Sequence, residues 1–221
     1  MSAQLFADRS DAGRQLAAAL ETFAGDAKAI VLALPRGGVP VGYEVARRLR
    51  LPLDVYVVRK LGVPGHEELA MGALANDGTC VIDDELIGSL GIGDDVLQAV
   101  VEREMDEVRR RERAYRDARS QAKVAGKTVI IVDDGLATGA TMRAAATAVR
   151  TRKPAAIVAA VPVAAGRTCS AMREVVDRVV CVHTPEPFHA VGLYYENFAQ
   201  TSDEDVRRLL AESETGRRRS A

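Results

Sequence analysis

The chain contains no tryptophan, and aromatic residues make up only 4% of its 221 positions, so any cluster of them stands out. Cysteine is nearly as scarce. Cys80, Cys169 and Cys181 form no CxxC pair. This sparse, odd count argues against a disulfide framework and a structural zinc site, and predicts lone thiols in a reducing cytoplasm. Neither sign of charge dominates: 30 Lys+Arg stand against 31 Asp+Glu, for a net charge of -1. That excludes a globally basic nucleic-acid coat. No apolar run approaches the roughly 20 residues that span a bilayer. Asp8, Arg9, Asp11 and Arg14 interrupt the first fifteen residues, so no signal-peptide core is expected there. What is present is 48% apolar and 28% charged sequence, the make-up of a globular α/β domain with a sizeable core.

Short Val- and Ile-rich runs predict buried parallel strands over 29–34, 55–58, 128–132, 156–163 and 178–182. Helical segments alternate with them over 11–23, 39–49, 140–150 and 168–176. Such alternation implies an α/β fold, a parallel sheet flanked by helices. Ligands of such sheets sit beyond the carboxyl ends of the strands, so motifs just after strands count most. Two segments break the alternation. A hairpin is expected around Asn76-Asp77-Gly78. A long charged helix then runs over 94–119, with Leu97, Val101, Met105, Val108 and Tyr115 on one stripe. Its charges nearly cancel, which favours a solvated helix lying on the sheet over a nucleic-acid contact. Residues 213–221 read as a small, basic, disordered tail, leaving 1–212 as one domain.

The strongest chemical signal is Val129-Ile130-Ile131-Val132-Asp133-Asp134-Gly135-Leu136-Ala137-Thr138-Gly139-Ala140-Thr141. It reads as a buried strand, two carboxylates at its end, a loop of small residues, then a helix. Backbone N–H groups of Ala137, Thr138, Gly139, Ala140 and Thr141 can converge on a phosphate at the helix N-terminus. Thr138 and Thr141 add hydroxyls, and Asp133 and Asp134 can accept from vicinal sugar hydroxyls. The pattern therefore suits a ribose 5-phosphate. No Gly-Lys-Ser/Thr follows, so it is not a Walker loop, and no GxGxxG opens a helix in the context a dinucleotide site requires.

This stretch resembles the phosphoribosyl-diphosphate (PRPP) motif of the type I phosphoribosyltransferases. The resemblance extends over about residues 28–200. The segment Pro35-Arg36-Gly37-Gly38 is similar to the family's pyrophosphate loop, where main-chain amides, often beside a cis peptide, grip the diphosphate. It implies that Arg36, Gly37 and Gly38 bind pyrophosphate. It also implies that Arg59 and Lys60, ending the next strand, meet the diphosphate ahead of a mobile loop over 61–72. Lys60 joins Asp133 and Asp134 as a candidate catalytic residue. His66 in that loop is read as solvated. Asp8-Arg9, Arg59-Lys60-Leu61-Gly62 and Phe188…Tyr194-Tyr195…Phe198 add a likeness to a little-characterised bacterial group provisionally assigned to this family.

The implied core spans 28–182, with a small C-terminal hood over 183–200 completed from the N-terminus. Phe188, Val191 and Tyr194 are the candidate base-binding residues of the hood; a plain hydrophobic cover is the competing reading. Ala137 stands where hypoxanthine-guanine enzymes carry Asp, which argues against that specificity. Cys80 and Cys181 read as buried apolar residues and Cys169 as a helix residue without a nucleophile's partners.

The implied activity is cytoplasmic transfer of ribose 5-phosphate from PRPP to a nitrogen acceptor, a nucleobase-like heterocycle, with release of diphosphate. Magnesium is the implied cofactor, carried on PRPP near Asp133 and Asp134. A homodimer is compatible with this reading; nucleic acid and membrane are not expected partners. A PRPP-sensing regulator of the same fold, with little catalysis, remains the alternative.

Overall fold

The computed structural model describes residues 4–116 and 121–219. In chain order its strands are β1 (Ala29–Ala33), β2 (Leu53–Val55), β3 (Val58–Val63), β4 (His66–Ala75), β5 (Cys80–Ile82), β6 (Thr128–Val132), β7 (Ala156–Val163) and β8 (Arg178–His183). Its α-helices are α1 (Arg9–Ala19), α2 (Gly38–Leu49), α3 (Asp84–Leu90), α4 (Asp94–Arg116), α5 (Ala140–Thr151), α6 (Gly166–Met172) and α7 (Asp203–Arg219).

Five strands form a wholly parallel sheet in the order β2-β1-β6-β7-β8. Because strand side chains alternate, each central strand feeds two cores. Ile30, Leu32, Val129, Ile131, Ile157, Ala159 and Val161 pack with Met142, Ala145 and Val149 of α5 on one face. Ala29, Val31, Ile130, Val132, Val158 and Ala160 pack with Leu16 and Leu20 near α1 and with Val41, Val45 and Leu49 of α2 on the other. The expected parallel sheet flanked by helices is therefore present.

The chain leaves this sheet after β2. β3, β4 and β5 make a separate antiparallel sheet. Leu61, Val63, Met71 and Leu74 of that sheet pack against Val100, Val108 and Tyr115 of α4 and Val206 and Leu209 of α7. The helix lying on a sheet is thus found, although it covers the small sheet; its predicted residues 117–119 lie outside the described residues.

Five expectations need correction. The run 55–58 is two strand ends: Tyr56 donates its N–H to Ala33 in the large sheet, whereas Val57 accepts from Asn76 in the small one. The mobile loop expected over 61–72 is mostly β-structure, because β3 and β4 pair directly around the turn at Pro64-Gly65. The tail expected to be disordered from Ser213 continues α7 as far as Arg219. Finally, Cys169 and Cys181 are not lone thiols but a disulfide joining α6 to β8. Such a bond is not favoured in a reducing compartment, so cysteine usage no longer argues for one. Cys80, expected to be buried, is exposed. Among the described residues, no helix is long and apolar enough to cross a membrane.

Candidate active site

The chain proceeds from β1 outward to β2 and from β6 in the opposite direction to β7 and β8, so a crevice opens between β1 and β6 at their carboxyl ends. Two loops meet there. The first follows β1, and Leu34 donates its N–H to the Val132 carbonyl at 2.9 Å. The second begins one residue later in β6's own course, at Asp133. The register Ala33↔Val132 therefore places Pro35-Arg36-Gly37-Gly38 alongside Asp133-Asp134.

The approach is too close for side chains. A Cβ on Gly38 would stand 2.6 Å from the Val132 carbonyl oxygen and 2.9 Å from the Asp133 Cα. A Cβ on Gly37 would run into the Asp134 carboxylate. The Pro35–Arg36 peptide is cis. Gly38 already donates its N–H to Leu34, at 3.0 Å. Among the described residues, the amides of Arg36 and Gly37 are the two in this loop that make no such bond.

The second loop is shaped by neighbours on three sides. Leu136 donates its N–H to Val163 at 2.9 Å, and Ala165 donates back to Leu136 at 3.0 Å. The Thr168 hydroxyl donates to the Ala137 carbonyl at 2.7 Å. Gly139 takes the left-handed conformation, φ 77°, as the residue before α5. These contacts leave Ala137 and Thr138 exposed over the start of α5. The first turn of that helix has N–H groups with no helical carbonyl to meet, which suits an anion. One is partly satisfied already: Ala140 donates to Thr138 Oγ1 at 3.4 Å.

The two acids differ in their surroundings. Asp133 Oδ1 accepts the Asp134 N–H at 2.9 Å. Burial pushes the Asp133 carboxyl well above the usual carboxylate range, and the neighbouring Asp134 charge adds to the rise. Burial also raises Asp134, but Arg9 opposes it. Arg9 Nε lies 2.8 Å from Asp134 Oδ2, with side-chain exposures of 12% and 15%. Tyr195 donates its hydroxyl to the Asp134 backbone carbonyl at 2.6 Å, and burial raises its own pKa. Asp133 Oδ2 and Asp134 Oδ1 have no protein partner among the described residues. Neither is among the sealed, unsatisfied atoms, so both can take a hydroxyl from the crevice.

No group of three His, Cys, Asp or Glu side chains able to hold a metal occurs among the described residues. Two carboxylates alone do not cage a cation. They do fit a magnesium ion held chiefly by ligand oxygens and water, the usual arrangement for that ion with a phosphate substrate.

The remaining candidates separate. Arg36 Nη1 reaches away from the acids, to Asp203 Oδ1 of α7 at 3.4 Å; the Tyr115 hydroxyl donates to the same oxygen at 3.1 Å. Arg59 Nε lies 2.7 Å from Glu104 Oε2 of α4, a side chain only 11% exposed. Alternation along β3 sends Lys60 to the opposite face, which it shares with Val58 and hence with the core under α5. His66 is exposed at the hairpin turn. In the hood, Tyr194 is 1% exposed and donates its hydroxyl to the Pro187 carbonyl at 3.1 Å. It builds the hood and has no free face, which corrects its assignment as a base contact. Phe188 is half-buried against it, with ring centroids 5.3 Å apart. Val191 stands over the acidic turn, 2.5 Å from where a Gly135 Cβ would be. Arg9 was not among the candidate site residues. Its signal was visible only as the Asp8-Arg9 pair: Asp8 caps α1 through the Asp11 N–H, which sets Arg9 at the start of the helix.

Paired glycines lie against paired acids at a switch point, beside a helix start that suits an anion. Comparison with known proteins gives the chain a family. Residues 4–196 match the phosphoribosyl transferase domain model, and the chain belongs to that family. Two curated Mycobacterium tuberculosis proteins, both provisionally named as phosphoribosyl transferases, are each 45% identical over 207 residues. That alignment takes in 94% of this chain, but the chain spans about half (46%) of the length of those relatives. The crystal structure of a Thermus thermophilus protein is similar throughout: 42% identity, TM-score 0.86, covering 94% of this chain and 98% of that one.

Proposed function

We propose that this protein transfers ribose 5-phosphate from PRPP to a nitrogen acceptor, a nucleobase-like heterocycle, and releases diphosphate. The observation that carries this reading is the close approach of Gly37-Gly38 to Asp133-Asp134, which supports reading the first as a diphosphate loop and the second as a ribose-binding pair. In this reading the 5-phosphate lies over Ala137, Thr138, Gly139, Ala140 and Thr141. The open oxygens of Asp133 and Asp134 accept the two ribose hydroxyls and turn the anomeric carbon toward the hood. The amides of Arg36 and Gly37 hold the leaving diphosphate, and Lys60 approaches it from β3. Bond cleavage to an oxocarbenium-like state needs no protein nucleophile, so catalysis is positioning and fixed electrostatics. Magnesium, when bound with PRPP, neutralises charge on the diphosphate. Phe188 and Val191 are the hood residues left to meet the acceptor.

Two measurements test the reading. PRPP at about 100 times its dissociation constant stabilises a protein by about 2.7 kcal/mol. A magnesium-dependent rise in melting temperature is therefore expected, and none at millimolar PRPP overturns the assignment. A panel of heterocyclic bases with PRPP, read as diphosphate release, then identifies the acceptor.

A further inference from the structure

Arg9 is ion-paired to the ribose pair, and three contacts of its guanidinium hold it. Its Nε meets Asp134 Oδ2 at 2.8 Å. Its Nη1 donates to the Ala199 carbonyl at 2.7 Å. Its guanidinium lies 3.9 Å from the centroid of the Phe198 ring. The Phe198 ring in turn packs on Tyr195, whose hydroxyl binds the Asp134 backbone. From outside, the Asp8 cap fixes the backbone from which Arg9 springs. A guanidinium so held is restrained, and its charge-assisted bond ties down one oxygen of the carboxylate it meets.

We infer that Arg9 is a positioning residue for the sugar: it engages Asp134 Oδ2 and thereby presents Asp134 Oδ1 alone to a ribose hydroxyl. This inference rests on the PRPP reading above and adds a residue to it. Two features favour positioning over a plain structural ion pair. The oxygen that Arg9 takes is the one nearer Gly37, and the oxygen left open stands farther off, 3.2 Å from where a Gly37 Cβ would be. The same guanidinium is also tied to residues 198 and 199 at the end of the hood segment, so the ribose pair and that segment share one anchor. Arg9 touches no substrate atom in this scheme; it acts through Asp134.

The test compares three ligands, PRPP, ribose 5-phosphate and inorganic diphosphate, by titration calorimetry with magnesium. The proteins are the parent chain, Arg9→Ala, Arg9→Gln and Arg9→Lys. Losing one charge-assisted hydrogen bond should weaken the two ribose-bearing ligands by about 10-fold in Arg9→Ala and Arg9→Gln. Diphosphate, which has no sugar, should bind all four proteins alike, and Arg9→Lys should recover part of the loss. Arg9→Gln keeps a longer polar side chain than alanine and carries the test if Arg9→Ala does not fold. Equal weakening of all three ligands, or no weakening of any, overturns the positioning role. Failure of the parent chain to bind PRPP overturns the functional reading and this inference with it.

Discussion

Replacing Gly38 with alanine should separate the two loops of the site by force. The new methyl would sit 2.6 Å from the Val132 carbonyl oxygen and 2.9 Å from the Asp133 Cα. Both are backbone atoms, one at the end of a central strand and one just beyond it, so neither can swing away as a side-chain tip would. Gly38 itself opens α2, where alanine is welcome; the backbone conformation carries no penalty, and the whole effect is steric. Overpacking of this kind costs about 1–3 kcal/mol. For a chain of this size each kcal/mol moves the melting temperature by about 2–4 °C. A mid-range cost of about 2 kcal/mol therefore predicts a fall of about 4–8 °C by circular dichroism. Gly88→Ala is the control, because a Cβ there meets nothing within 4 Å; within α3 it should leave the melt unchanged or raise it slightly. A Gly38→Ala protein that melts within about 1 °C of its parent would refute the claim that the loops are in backbone contact.

The other expectations are as follows. Burial raises the Asp133 carboxyl, so the folded state holds that proton more tightly than the unfolded chain does. The parent should lose stability as pH rises from about 4, the unfolded value, through the raised folded one. Asp133→Asn should flatten that slope, and identical pH–melting curves for the two proteins would refute it. If Lys60 meets the leaving diphosphate as proposed, Lys60→Ala should slow turnover by on the order of 10²–10³. Arg59→Ala should leave turnover within threefold of the parent, since Arg59 serves Glu104 instead; reversed effects would exchange their roles. Cys169 and Cys181 close a loop with a sequence separation of 12, worth about 3 kcal/mol by chain entropy. Dithiothreitol should accordingly lower the melting temperature, and a melt indifferent to reductant would remove the crosslink from the stability account.

The central sheet was readable because its strands are buried on both faces. Continuous Val/Ile runs such as 128–132 and 156–163 match β6 and β7 to the residue. The paired acids and the small-residue loop were readable for a similar reason: Gly139 and its neighbours have few alternative uses before a helix. The hairpin of β3 and β4 was not. Gly62, Pro64 and Gly65 look like hinges in one dimension, yet only the last two make the turn. Gly62 is glycine because Glu67 backbone atoms stand 2.7 Å and 2.9 Å from where its Cβ would be. Arg59 and Lys60 looked equivalent because adjacency in sequence hides the alternation that sends them to opposite faces. Tyr194 looked like a stacking platform because composition cannot distinguish a ring that faces a ligand from one that fills a hood. The contacts of Arg9 and of the disulfide join segments whose proximity only the tertiary fold creates.

The tie between Arg9 and Ala199 has a consequence for how the molecule comes into being. Its two residues are 190 positions apart, and Arg9 and Asp134 are 125 apart. Translation at about 5–20 residues per second puts about 10–40 s between the synthesis of Arg9 and that of Ala199. During that interval the parallel pairing of β1 with β6 can already form. The carboxylate it carries, however, has its guanidinium but neither Phe198 nor the Ala199 carbonyl to hold that guanidinium still. A nascent chain halted just after β8 should thus own the sheet and both loops while its ribose pair lacks a fixed orientation. Completion of the site should therefore come late in folding, because it waits on contacts among the longest in range of the described residues.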